Sequence, residues 1–354
     1  MRILLTGVCG FVGATLARAW VERGAGHELI GLDNLVRPGS EVNRLALRRL
    51  GVTVVHGDLR CASDFEPLPP IDWVIDAAAN PSVLAGFDGR TSSRQLVEHN
   101  LLGTINVLEH CRRHGIGLIM LSTSRVYSIA RLLDIQVEAI GGAFRPVDGQ
   151  NIDGLTADGV DETFSTEPPL SLYGVTKRAS EQLALEYSGA FGFPVWVNRC
   201  GVLAGAGQFG RADQGIFSYW IHSWARGRPL SYLGFDGTGC QVRDCLHPRD
   251  LIDLLDRQMN CASGSRSRVV NISGGVQSAV SLQECSAWCT DRFGVRDVTA
   301  DRSPRPFDIP WLVLDSGRAR DEWSWCPQTP REAIFEEIAA HAEANPSWLE
   351  MTGD

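Results

Sequence analysis

The stretch Ile3–Ala17, ILLTGVCGFVGATLA, reads as a short apolar strand, a glycine turn and the start of a helix. Its glycines fall at Gly7, Gly10 and Gly13. In such a turn the first permits a tight bend, the second lets a pyrophosphate approach the backbone, and the third lets helix and strand pack closely. The first helical turn, beginning at Phe11 and Val12, then offers unpaired N–H groups to phosphate oxygens. A glycine turn with no ligand is the plain alternative. The next strand ends in IGLDN, which puts Asp33 20 residues beyond Gly13, with Asn34 beside it. A carboxylate there takes both hydroxyls of an adenosine ribose and repels a 2′-phosphate, which favours NAD over NADP. Arg37 nearby weakens that preference. The third strand closes in HGDLR, where Asp58, followed by Leu59, is placed to reach an adenine amino group.

Further along, apolar runs alternate with helical stretches. The strands are expected at Ile3–Thr6, Glu28–Leu32, Val52–His56, Trp73–Asp76, Leu118–Ser122, Val195–Asn198 and Val269–Ser273. Helices are expected at Phe11–Arg23, Arg94–Arg113, Leu172–Ser188, Asp250–Asn260 and Arg331–Ala342. Near-continuous apolar strands between helices predict an α/β fold, a Rossmann-type doubly wound parallel sheet covered on both faces. Residues 1–200 and 246–273 are assigned to this NAD-binding unit. Residues 201–245 and 274–354 are assigned to a smaller α+β unit that holds the substrate. Ser128–Ser171 is long, weakly periodic and rich in Gly, Pro and Asp, so it is expected to be functional or mobile.

The bulk properties narrow the function. At 44% hydrophobic content the 354-residue chain can build a large core, which excludes disorder. A net charge of −9 without a dense basic run argues against nucleic acid. The chain opens on Met1-Arg2 and enters its first strand directly, and no apolar run approaches ~18 residues, so a cytoplasmic protein without a membrane span is expected. The 10 cysteines form no CxxC. Cys285 and Cys289 are four apart on a helix but lack a completing cluster, so no metal is expected.

Lys177, in SLYGVTKRASEQ, is the only lysine of the chain. Tyr173 lies four residues before it, which puts both side chains on one helix face. A tyrosine acting as a base near neutral pH must lose ~3 pH units of basicity, ~4 kcal/mol. A cation ~5 Å away supplies ~3 kcal/mol at an effective dielectric of 20. Lysine is compact and its donors rotate, so it also suits the hydroxyls of a nicotinamide ribose, where arginine's planar fork does not.

These residues together resemble the extended short-chain dehydrogenase/reductase family, and within it the nucleotide-sugar epimerases. TGVCGFVG, the DN after the second strand, GDLR, YGVTK and VRDCLH all fit, nearly end to end. The resemblance implies that Thr123, in LSTSRVYS, joins Tyr173 and Lys177 and donates to the sugar oxygen being oxidised. It implies that Asn100, in EHNLLGT, supports the cofactor region. Ala77 and Ala78, in DAAANPS, would lie along the dinucleotide. It further implies a homodimer paired through helices flanking the sheet.

Where the dehydratases of that family carry an Asp-Glu pair, this chain has Ser124 and Arg125, so elimination of water is not expected. A base, a bound NAD and no elimination acids predict oxidation to a keto sugar, rotation, and return of hydride to the opposite face of a nucleoside-diphosphate sugar. RADQGIFSYWI and GTGCQVRDCLH are similar to the subgroup acting at C2, the CDP-tyvelose (CDP-paratose) 2-epimerase type. A UDP-sugar 4-epimerase and an NAD(P)H-dependent nucleotide-sugar reductase are the alternatives. A cofactor-binding protein without activity is a third, against which the Thr123–Tyr173–Lys177 set argues. The resemblance gives Arg243 and Arg305 to the diphosphate, through bidentate Arg–phosphate pairing, and Asn80, Ser124 and Gln214 to the sugar. RCGVLAGAG departs from the family's Tyr-Gly-Pro, and Ser128 replaces a glycine.

Overall fold

The computed structural model describes residues 1–87, 89, 92–212, 214–261 and 266–353. Seven strands form one parallel sheet: β1 (Arg2–Thr6), β2 (Glu28–Asp33), β3 (Thr53–His56), β4 (Trp73–Asp76), β5 (Gly117–Thr123), β6 (Val195–Cys200) and β7 (Val269–Ile272). Their order is β7-β6-β5-β4-β1-β2-β3, and every neighbouring pair is parallel. They are the seven strands expected from sequence, with ends within two residues. Six residues of β5 and all of β6 are buried, which is why these strands show no polar alternation.

Each face has its own core. Leu5, Trp20, Ile119, Trp196 and Leu255 pack on one side. Leu4, Val74, Val107, Leu118 and Ala184 pack on the other. Ala319, Trp323 and Trp325 join the first core, where the helix Gly317–Trp323 meets β7. The late chain, given by its sequence to the smaller unit, thus also covers the sheet. The strand order reverses between β1 and β4, and a crevice opens at their carboxyl ends.

The helix expected over Arg94–Arg113 is one rod with a widened turn. Ser93–Val97 and Gly103–His114 are α-helical, and Glu98–Leu102 is a π turn. An inserted residue of this kind is invisible to periodicity and often marks a functional position. Asn100 sits on it.

Ser128–Ser171 is ordered in short pieces: a helix at Ile129–Leu133 and two hairpins, Val137–Ile140 with Ala143–Pro146 and Leu155–Thr156 with Gly159–Val160. It is held by tertiary packing, since Tyr127, Leu132 and Phe164 share a core with Trp311 and Val313. A second sheet joins Val202–Leu203, Val242–Leu246, Ala279–Ser281 and Trp311–Leu312. Beside it the helices Ile216–Arg226 and Arg331–Ala344 pack through Phe217, Ile221, Phe335 and Ile338. Cys285 and Cys289 are buried in that core. Among the described residues no helix is long and apolar enough to cross a membrane, and no cluster of three His, Cys, Asp or Glu is arranged for a metal.

Candidate active site

The glycine turn is built as its spacing requires. Gly7 has a φ of +63°, and a side chain there would press on the Ala78 Cα at 2.9 Å. A side chain at Gly13 would overlap the Gly7 carbonyl. At Gly10 the added carbon would meet only the Gly7 carbonyl oxygen, at 3.1 Å, so this position stays open toward the cleft. That cradle fits a pyrophosphate at the N-terminus of the helix Phe11–Arg23. Thr6, at the end of β1, donates to Asp76 at 2.6 Å and accepts from the Ala77 and Ala78 N–H groups, so Ala77–Ala78 is pinned along the crevice.

Asp33 ends β2 and accepts from the Cys9 and Leu35 N–H groups at 2.9 and 2.8 Å. Burial pushes its carboxyl up, and these backbone donors pull it back. Its two oxygens retain lone pairs for ribose hydroxyls. Asp58 accepts from Arg60 at 2.7 Å and Asn34 at 3.1 Å, and the Arg60 hydrogen bond holds it well below the usual carboxylate range. Arg37 donates to Gln214 Oε1 at 2.6 Å and to the Phe209 carbonyl at 3.0 Å. Asp33→Ala is expected to weaken NAD roughly tenfold or more and to reduce discrimination against NADP, which titration with each dinucleotide reads directly.

Thr123, Tyr173 and Lys177 border the same crevice. Thr123 ends β5, and the helix Leu172–Phe191 presents Tyr173 and Lys177. Ser171 caps this helix by accepting from the Gly174 N–H at 3.1 Å. A side chain at Gly174 would overlap the Arg125 carbonyl, so the glycine seats the first helical turn on the Ser124–Val126 turn. Burial pushes the Tyr173 phenol up to about 12. A hydrogen bond with Thr123 and the charge of Arg125 pull it down. Lys177 is 3% exposed, and its ammonium makes no hydrogen bond or ion pair among the described residues. Its charge falls on the Cys200 thiol, which burial raises to about 12.

Behind this set, Asn100 accepts from the Asn80 N–H at 2.8 Å and donates to the Asn80 carbonyl and to Thr176 Oγ1 at 3.1 and 3.2 Å. The π turn therefore ties the Asn80 backbone to the helix that carries Tyr173 and Lys177. One turn beyond Lys177, fully buried Glu181 accepts from Ser122 at 2.5 Å and from Arg199 at 2.8 Å. This anchors the helix to β5 beside Thr123 and to β6 beside Cys200.

Every site residue named from sequence lines one cleft of about 880 Å³, except Asn100, which is packed behind it. Ser124 is buried in the cleft wall. Arg243 donates to the Val242 and Ile309 carbonyls at 2.6 and 2.9 Å and lies 3.9 Å from Asp308. Burial lowers it to about 9. Arg305 lines the same wall. Gln214 Oε1 accepts from Arg37 at 2.6 Å in the same lining. Sequence reasoning missed Arg125, Asp308 and Cys200, all in the lining. The signal for Arg125 was its place two residues after Thr123; Asp308 and Cys200 carried none.

The NAD dependent epimerase/dehydratase family matches residues 3–273. This chain is a member of that family. NAD is therefore its cofactor, and the glycine cradle, Asp33 and Lys177 are the groups that fit it. Among curated relatives, CDP-paratose 2-epimerase of Salmonella typhi is 29% identical, over 93% of this chain and 95% of its own. UDP-glucuronate 4-epimerase 3 of Arabidopsis thaliana is 27% identical, over 71% of this chain and 53% of its own. The solved UDP-glucose 4-epimerase of Thermus thermophilus, in complex with NAD, superposes with a TM-score of 0.75 at 23% identity, covering 97% of this chain and 99% of that one.

Proposed function

We propose that this family member is a nucleotide-sugar epimerase that inverts C2 of the sugar through a keto intermediate, without net consumption of NAD. The observation that carries the reading is Thr123, Tyr173 and Lys177 facing one cleft with a glycine cradle at one end and arginines across it. Thr123 donates to the sugar oxygen, and Tyr173 takes the hydroxyl proton and later returns it. Lys177 holds the nicotinamide ribose and adds positive charge beside the base. Bound NAD supplies reversible hydride transfer. Arg243 and Arg305 hold the diphosphate, while Asn80 and Ser124 border the sugar. Likeness to the CDP-paratose 2-epimerase over nearly the whole chain supports C2 and a CDP-linked sugar. Likeness to the plant 4-epimerase supports C4 as the second reading.

The test is incubation of the purified protein with CDP-, UDP- and GDP-sugars, followed by NMR of the sugar protons. Turnover without added reductant separates epimerase from reductase, and the proton that changes coupling names the carbon. Substrate deuterated at the inverted carbon is expected to keep its label in the product. Washout to solvent would replace hydride shuttling with deprotonation at carbon.

A further inference from the structure

We propose that Arg125 is a substrate-binding residue that grips the sugar-linked phosphate, as the third arginine of a clamp with Arg243 and Arg305. This rests on the nucleotide-sugar reading above. Arg125 follows Thr123 by two residues on the Ser124–Val126 turn, and its N–H donates to Thr123 Oγ1 at 3.2 Å. Its backbone is locked against the catalytic helix, because the Arg125 carbonyl fills the space a side chain at Gly174 would need. The side chain enters the cleft wall. There it makes one long hydrogen bond, from Nη1 to the Phe307 carbonyl at 3.4 Å. Phe307 takes a left-handed φ of 58°, uncommon for an aromatic residue, in the short loop that also carries Arg305 and Asp308.

A guanidinium has five donors, and the half-buried Arg125 side chain, with one long hydrogen bond, leaves most of them open to an arriving anion. No ion pair to Arg125 is present among the described residues. Arg305, Asp308 and the Tyr173 phenol act on it, and Arg243 also feels it. Three guanidiniums thus outnumber the carboxylates beside them, Asp308 and Asp244. Asp244, next to Arg243 in its strand, bonds instead to Ser273, Val202 and Leu314. Arginines outnumbering the carboxylates beside them suit an anionic phosphate. Arg125 is the member of the clamp closest in the chain to Thr123, and it acts on the Tyr173 phenol.

The experiment compares nucleoside diphosphate with monophosphate. CDP and UDP, then CMP and UMP, are titrated calorimetrically into the NAD-loaded wild type, Arg125→Gln and Arg125→Lys. Thermal melting and NAD titration confirm that each variant is folded. Arg125→Gln is expected to weaken the diphosphate at least tenfold and the monophosphate less than twofold, with Arg125→Lys between wild type and Arg125→Gln. A merely structural role would weaken both ligands alike and overturn the assignment. Unchanged diphosphate affinity, with only the acid limb of the turnover profile displaced, would also overturn it and leave Arg125 as a group that tunes Tyr173. If wild type binds diphosphate and Arg125→Gln binds it equally, only the assignment falls. If wild type binds no nucleoside diphosphate, the nucleotide-sugar reading falls first and the assignment with it.

Discussion

Tyr173→Phe is expected to turn over about a hundred- to ten-thousandfold more slowly than wild type while NAD affinity stays within a few fold. Proton transfer by a positioned base is worth ~10²–10⁴ in rate. Of Thr123 and Tyr173, which are joined by a hydrogen bond, only Tyr173 carries a phenol able to serve as the base. The ring packs with Val83, Ala85 and Leu96, and phenylalanine preserves that packing. Only the hydroxyl and its bond with Thr123 are lost, costing ~1 kcal/mol of stability. Thr123 still accepts from the Arg125 N–H. Melting and dinucleotide titration should therefore look like wild type while kcat collapses. Turnover within tenfold of wild type would assign the proton to another group.

The sheet was legible because its strands are buried on both faces and its first turn needs glycines at particular places. Steric contact explains both: Gly7 against Ala78, and Gly13 against the Gly7 carbonyl. The Tyr173–Lys177 spacing was equally legible, since four residues on a helix fix a face. What escaped was structure that local pattern does not encode. The π turn at Glu98–Leu102 adds a residue without altering composition, yet it aims Asn100 at Asn80. The Ser128–Ser171 segment has no period because its order comes from contacts with residues 309–314. Arg125 and Asp308 meet in the cleft wall although 183 residues separate them in sequence. Gln214 lines the cleft as well, and its bond to Arg37 reaches across 177 residues of sequence.

Lys177→Arg is expected to lose more than tenfold in kcat at neutral pH while the fold and most NAD binding survive. The phenol starts from about 12 in the folded protein, not from the ~10 of free tyrosine. Bringing it to neutrality requires ~7 kcal/mol. One cation at ~5 Å gives ~3 kcal/mol at an effective dielectric of 20, so several contributions must combine. Thr123 and Arg125 already act on the phenol. Lys177 adds a compact charge on the Cys200 side and rotatable donors for the nicotinamide ribose. Arginine keeps the charge but spreads it over a wider fork, in a pocket where the lysine is 3% exposed. The reactive form is the phenolate, so a weaker pull on it raises its working pKa. The acid limb of the kcat profile then moves to higher pH, and part of the lost rate returns in alkaline buffer. A variant with wild-type turnover at neutral pH and an unmoved acid limb would show that charge alone suffices at this position, and the geometric reason for the chain's single lysine would be gone.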